Sequence, residues 1–214
     1  NDKFPFMACG EITILKGILA RLFRISFSGE LAYEIAIPRR YADFFVKKIT
    51  EIGKKYSLVP YGTEALGVMR IEKGHAAGNE LNGQTTAHNL GLGKMVSKLN
   101  DCIGNTMSER EELNKDDALK LVGFIPTDKK QQLVAGSHFI EKGQSANLKN
   151  DQGWMSSVAF SPMLNHSIGI GYIKRGNQRY GEKVNAVNPL KKEITEVEIH
   201  SPHFYDPEGE LLRG

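Results

Sequence analysis

Glu34 stands with an alanine two residues away on either side, in the alternate positions Glu30, Ala32, Glu34 and Ala36. On one face of a strand, small neighbours leave room beside a carboxylate for a flat ligand. A carboxylate offers two acceptor oxygens in one plane, which suits the paired N–H donors of an aminopyrimidine or pterin edge. The same spacing also fits a solvated strand face on which Glu34 pairs with a neighbouring Arg or Lys. Arg70 follows Gly67 by about one helical turn in TEALGVMRIEKG, so the two are neighbours on a helix surface. A guanidinium there pairs with Glu34 if the helix packs on the strand, or contacts an anionic or carbonyl-bearing ligand. Gly67 costs about 1 kcal/mol relative to Ala in a helix interior, which predicts a close approach of another backbone or a ligand.

The elements that must position these groups follow from periodicity. Apolar residues recur at every second position from Ile25 through Phe27, Leu31, Tyr33 and Ile35 to Ile37, and Ser28-Gly29-Glu30 interrupts them with turn chemistry. The expectation is a hairpin over Arg24 to Pro38, with odd positions on a core and even positions facing something polar. Before it, residues 1–14 carry no clear period, and residues 15–22 form a short apolar stretch broken by Lys16, Gly17 and Arg21. That stretch reads as entry into an existing sheet, without a partner strand and matching turn ahead of the hairpin. After Pro38 the period becomes helical, with Tyr41, Phe44, Phe45, Ile49 and Ile52 on one face as far as Gly53. Thr63 opens a second helix to Glu72, closed by Gly74. Residues 76–92 are loop, with one helical turn after Thr86.

The charged segment 108–117 predicts a boundary between a first domain, 1–115, and a second, 116–214. Beyond it come six short strand-like runs, at 119–125, 137–140, 154–160, 168–173, 183–187 and 193–199. Turn residues at 126–128, 150–153, 175–177 and 188–189 separate them. This spacing predicts an antiparallel barrel or sandwich, and the whole chain reads as α+β.

Composition narrows the class. A hydrophobic share of 40% beside a charged share of 25% over 214 residues is that of a soluble globular protein. The net charge of +3, from 28 basic and 25 acidic residues without long runs, gives no case for nucleic acid or a membrane. Cys9 and Cys102 are far apart and lack metal-ligand neighbours, so neither a disulfide framework nor a zinc site is expected, and a cytoplasmic location is. Gly91-Leu92-Gly93 and Gly169-Ile170-Gly171 lack the third glycine of a dinucleotide fingerprint and read as turn or packing glycines. His200 and His203 have no third ligand nearby in sequence, so no metal site is expected. No nucleophile elbow is present, and Ser156-Ser157 read as strand hydroxyls. A chain that starts on Asn1 instead of Met reads as a processed product or a piece of something longer.

RISFSGELAYEIAIP, PYGTEALGVMRIEKGHAAGNELNGQTT, NLGLG and DCIGNTMSERE, in that order, resemble the folate-binding region of the glycine-cleavage aminomethyltransferase (T-protein) superfamily. KLVGFIP, GSHFI, GWMSSVAFSP, IGIGYIKRG, GEKV and SPHFYDPEGELLRG are similar to the carboxy-terminal end of the α subunits of heterotetrameric sarcosine oxidases. The resemblance implies the later half of a folate-binding domain, with a ferredoxin-like hairpin and helices, followed by a small antiparallel β-barrel. It implies that Glu34 binds the pterin ring of tetrahydrofolate and that Arg70 lines the same site, with Tyr33 a further contact. It implies oxidative demethylation of sarcosine to glycine, with the one-carbon unit passed to tetrahydrofolate as 5,10-methylenetetrahydrofolate. FAD, FMN and NAD are then expected elsewhere in the assembly, and the partners are the upstream remainder of the α subunit, a flavin-bearing β subunit and small subunits. The family's catalytic aspartate has no counterpart here, so this chain alone is expected to be inactive. A T-protein or dimethylglycine dehydrogenase relative, and a folate-binding or assembly module without chemistry, are the other readings.

Overall fold

A computed structural model describes residues 3–96 and 103–214. The second cysteine, Cys102, falls outside them. Two compact units are present: residues up to Met69 with Asp206–Gly214, and Arg70–Tyr205. The barrel strands start at Leu119, and the loops of 70–118 belong to the barrel's unit.

The first unit is built on a three-stranded antiparallel sheet in the order β1 (Cys9–Ile14), β2 (Ile18–Phe23), β3 (Glu34–Ala36). The partner strand and turn thought missing are therefore there. Ile14 pairs with Ile18 across Leu15-Lys16-Gly17, all three at positive φ (45°, 65° and 130°). Leu and Lys seldom adopt that region, so the turn carries a signal only at Gly17. The predicted strand at 25–27 does not form either. Residues 24–33 are loop, and the strand opposite β3 is β2, with Phe23 facing Glu34 and Arg21 facing Ala36. One sheet face carries Ile18 and Ala20, both buried, while Leu31, Tyr33 and Ile35 from the predicted core face are exposed. Helices α1 (Ala42–Gly53) and α2 (Thr63–Glu72) occur where the helical period placed them. On α1 the predicted apolar face is only partly covered, with Phe44 and Ile52 exposed at 46% and 50%.

In the second unit, a short helix α3 (Asn105–Ser108) precedes β4 (Leu119–Pro126), β5 (His138–Ile140), β6 (Asp151–Ser161), β7 (His166–Lys174), β8 (Lys183–Asn188) and β9 (Glu193–His200). These close into a six-stranded antiparallel barrel, β4-β7-β6-β5-β8-β9. Alternation sorts each strand between two environments. Val122, Phe124, Phe139, Met155, Val184, Val197 and Ile199 fill the interior, where Phe124 and Phe139 stack at 4.0 Å. Leu121, Ile168, Ile170 and Tyr172 point outward into a second cluster with Ile71, covered by Leu90, Trp154 and Phe204. The break predicted at 150–153 is displaced, because Asp151–Gly153 belong to β6. Gly153 there sits at φ +145°, where a Cβ would lie 2.0 Å from the Tyr172 carbonyl oxygen.

Short helix α4 (Glu210–Arg213) ends the first unit. No helix among the described residues is long and apolar enough to cross a membrane.

Candidate functional site

Arg70 ends up at the last turn of α2, where its side chain turns inward. Its Nη1 donates to Glu80 Oε2 at 2.9 Å and to the His75 carbonyl at 3.3 Å, and its Nη2 donates to Ser157 Oγ at 2.8 Å. Structural pairing thus occurs, but with Glu80 in the following loop and not with Glu34. The Nε–H is left without an acceptor among the described residues.

Glu80 is completely buried, and all of its acceptor sites are used. Oε2 takes Arg70 and the Ala77 amide (2.8 Å), while Oε1 takes the hydroxyls of Ser156 at 2.5 Å and Ser157 at 2.6 Å. Tyr172 donates from its hydroxyl to the Glu80 backbone carbonyl at 2.7 Å. Two consecutive strand residues normally point to opposite faces, so two adjacent serines on one carboxylate need an interruption. It is a β-bulge: Met155 pairs with Gly171 and Ser157 with Ile170, leaving Ser156 as the extra residue. Burial, with the Glu80 charge adding to it, pushes the Tyr172 phenol up to about 12. Two paired charges out of water are tolerable only with this degree of satisfaction. Sequence reasoning passed over Glu80 and took the serines for strand hydroxyls, since the bulge leaves no mark in composition.

Glu34 lies at the start of β3, is exposed, and its side chain has no hydrogen bond or ion pair among the described residues. Ala32 and Ala36 flank it at alternate positions, so its carboxylate edge is open to a planar donor pair. Tyr33 is elsewhere: its ring lies under the Arg24 guanidinium, 5.2 Å from Cζ to the ring centroid. Strand alternation places its Cβ on the face opposite Glu34. Glu34 and Tyr33 belong to the first unit and Arg70 to the second. Of the two approaches expected at Gly67, that of a backbone is absent, since among the described residues a Cβ there would meet no protein atom within 4 Å. Glu34 is thus an unpaired planar acceptor in the first unit, and Arg70 a firmly held guanidinium in the second.

The glycine pair, the two histidines and Arg179 have structural roles. Gly169 and Gly171 are packing glycines within β7, facing Met155 and the Trp154 carbonyl. His200 and His203 each turn Nδ1 to a backbone carbonyl, of Ser201 and Lys73. A polar hollow of about 540 Å³ on the barrel has Arg179 closed by Glu141 and Glu182 at 2.6 and 2.8 Å.

An open β-sheet with helices and a closed six-stranded barrel follow one another along the chain, and comparison with known families recognises both parts. Residues 1–100 match the model of the GCVT N-terminal domain, and residues 120–206 match that of the glycine cleavage T-protein C-terminal barrel domain. The chain belongs to the glycine cleavage T-protein, or aminomethyltransferase, superfamily.

Within it, the chain is 43% identical over 214 residues to sarcosine oxidase subunit alpha of Rhizobium meliloti (strain 1021), covering 99% of this chain and 22% of that protein. Sarcosine oxidase subunit alpha of Corynebacterium sp. (strain P-1) is 35% identical over 217 residues, again over 22% of its length. An aminomethyltransferase of Thermoanaerobacter sp. (strain X514) is 29% identical over 209 residues, 95% of this chain and 53% of that one. The chain therefore spans about a fifth of the sarcosine oxidase subunits it matches. The solved aminomethyltransferase T of the glycine cleavage system from Bartonella henselae shares the fold. Its TM-score is 0.72 at 21% identity, over 97% of this chain and 54% of that one.

Proposed function

We propose that this chain is the tetrahydrofolate-binding part of a sarcosine oxidase α subunit. The observation that carries the reading is the 43% identity to such a subunit along 99% of the chain. In the proposed reaction sarcosine is oxidatively demethylated to glycine at a flavin on another subunit. The one-carbon unit leaves as 5,10-methylenetetrahydrofolate, with tetrahydrofolate supplying the nucleophilic nitrogen when bound. FAD, FMN and NAD belong to other parts of the assembly, as do the upstream remainder of the α subunit, the β subunit and the small subunits.

This chain's own residues bind and orient. Glu34 accepts the donor edge of the pterin, and its carboxylate stays in one plane with that edge because Ala32 and Ala36 leave the strand face clear. Arg70 is held by Glu80 and Ser157 and offers Nε–H to a carbonyl or anionic group. Tyr33 is the weaker contact, since its ring is engaged with Arg24. No general base or nucleophile is assigned here; the family's aspartate is expected upstream, so the chain alone is inactive.

The test uses the assembled oxidase. Glu34→Ala removes a charge-assisted acceptor worth about 1.5–3 kcal/mol, so tetrahydrofolate affinity falls by about 10- to 150-fold. Amine oxidation at the flavin continues, and the released carbon shifts from methylenetetrahydrofolate to free formaldehyde. Unchanged folate affinity in the Ala variant would remove Glu34 from the site. A second reading, a T-protein-type aminomethyltransferase, is favoured by the 29% identity to the Thermoanaerobacter enzyme. It predicts dependence on a lipoyl carrier in place of a flavin subunit.

A further inference from the structure

The outer wall of the barrel holds a hollow that takes no part in the folate reading. Along β5, Phe139 packs into the barrel interior, so His138 and Ile140 face outward, and Val187 of β8 lies opposite His138 on the same face. Ile140 is nevertheless only 3% exposed, because residues of the connection from β5 to β6 fold back over this face. What remains open is a cavity of about 260 Å³, walled by Ile140, Leu148, Val187 and Pro189, with His138 and Asp151 as its titratable members. None of Glu34, Tyr33, Arg70 or Glu80 lines it.

An irregularity in β6 brings the two titratable groups together. His138 pairs with Trp154 and Ile140 with Asp151, two steps along β5 against three along β6. Asp151 thereby reaches the imidazole, its Oδ2 lying 2.8 Å from His138 Nδ1, while its Oδ1 accepts the Gly153 amide at 3.0 Å. A carboxylate only accepts, so Nδ1 carries the hydrogen and the neutral ring presents Nε2 as a lone pair. That nitrogen has no partner among the described residues. Asn147, also on the wall, is fully engaged: its Oδ1 accepts the Asn150 amide at 3.1 Å and its Nδ2 donates to Ser145 Oγ at 2.9 Å. One acceptor, held in a fixed tautomer, thus stands unused in an otherwise apolar hollow.

We infer that this hollow binds a small neutral phenol, its hydroxyl donating to His138 Nε2 and its ring lying against Ile140, Val187 and Pro189. The ligand must bring a donor, because the free group is a lone pair. It must not be an anion, because the Asp151 carboxylate stands behind the imidazole and repels one. It must be small, since 260 Å³ falls below the roughly 300–1,000 Å³ of pockets that hold drug-sized ligands and suits one ring with a short substituent. A phenol combines an apolar, flat body for the wall with a single polar handle for the histidine.

The test titrates 4-ethylphenol, and 4-ethylanisole, which shares its body but lacks the donor, against the full-length protein that carries this chain, by ligand-observed saturation-transfer NMR. The phenol binds saturably with a midpoint on the order of 1 mM, and the ether at least about tenfold more weakly. With the phenol at about five times its midpoint, carbethoxylation of His138 by diethyl pyrocarbonate, read by peptide mass spectrometry, slows about sixfold while that of His203 is unchanged. His138→Leu removes the acceptor and brings the phenol-to-ether affinity ratio to about one. Leu148→Asp, at a wall residue that is 93% exposed, weakens both ligands alike. Equal binding of phenol and ether, no saturation below about 10 mM, or a phenol preference that survives in His138→Leu overturns the proposal. Should that variant not fold, the wild-type affinity ratio and the protection of His138 decide.

Discussion

Replacing Glu80 by Ala is the most informative single perturbation of this fold, because one carboxylate gathers four donors from three separate segments. Arg70, the Ala77 amide, Ser156 and Ser157 all lose their acceptor at a position with no solvent access. The serines soften the loss, since Ser156 Oγ is already 3.0 Å from the Ile170 carbonyl and can donate there. Arg70 has no such alternative, as its one other acceptor at Nη1 is the His75 carbonyl at 3.3 Å. Breaking a buried pair from one side strands the remaining charge, which sets the expected cost at about 3–5 kcal/mol. Glu80→Gln keeps the volume but turns an NH₂ group toward donors, and costs about 1–3 kcal/mol. Removing both charges, Arg70→Met with Glu80→Leu, costs less than the sum of Arg70→Met and Glu80→Leu made singly, with a coupling of about 2 kcal/mol. Urea titration followed by Trp154 fluorescence measures this directly, because Trp154 lies in the same unit with its ring 5.4 Å from that of Tyr172. A cost below about 1 kcal/mol for Glu80→Ala, or strict additivity in the cycle, would refute the view that this cluster pins α2's end to the barrel.

Three further expectations follow from single positions. The Tyr172 phenol is raised to about 12, mainly by burial, so the folded chain holds that proton more tightly than the unfolded one. Its contribution is complete below pH about 10 and is lost as pH rises toward 12; Tyr172→Phe flattens that part of the stability profile measured by denaturant titration. Gly153→Ala puts a Cβ 2.0 Å from the Tyr172 carbonyl oxygen at φ +145°, and is expected to cost about 3 kcal/mol or more in the same titration. A cost under about 1 kcal/mol would mean that β6 moves freely here. Gly67→Ala meets open space and gains about 1 kcal/mol of helix propensity, so a rise in the midpoint is expected and a fall would reveal a contact absent from the fold.

How far the sequence could be read depends on the range of the interaction being read. Alternation along residues 119–125, 168–173 and 193–199 marked barrel strands because each inward residue repeats at every second position, and α1 followed from Phe44, Phe45, Ile49 and Ile52. Ala32 and Ala36 left Glu34 open between a clear strand face and a pairing with Arg or Lys, and the fold shows it exposed. The turn at Leu15-Lys16-Gly17 was not, since two of its three positive-φ residues are types that ordinarily avoid that region. The same limit hid the partner of Arg70: nothing local distinguishes Glu80 from other loop acids. Only closure of the barrel, with an extra residue at Ser156, brings two hydroxyls from 76 and 77 positions away onto one oxygen. Periodicity is a property of neighbours along the chain, and so the sequence by itself determined the barrel strands and the two longer helices, α1 and α2. Which charge neutralises which was left to tertiary structure, because a buried ion is stabilised by whatever the fold carries to it.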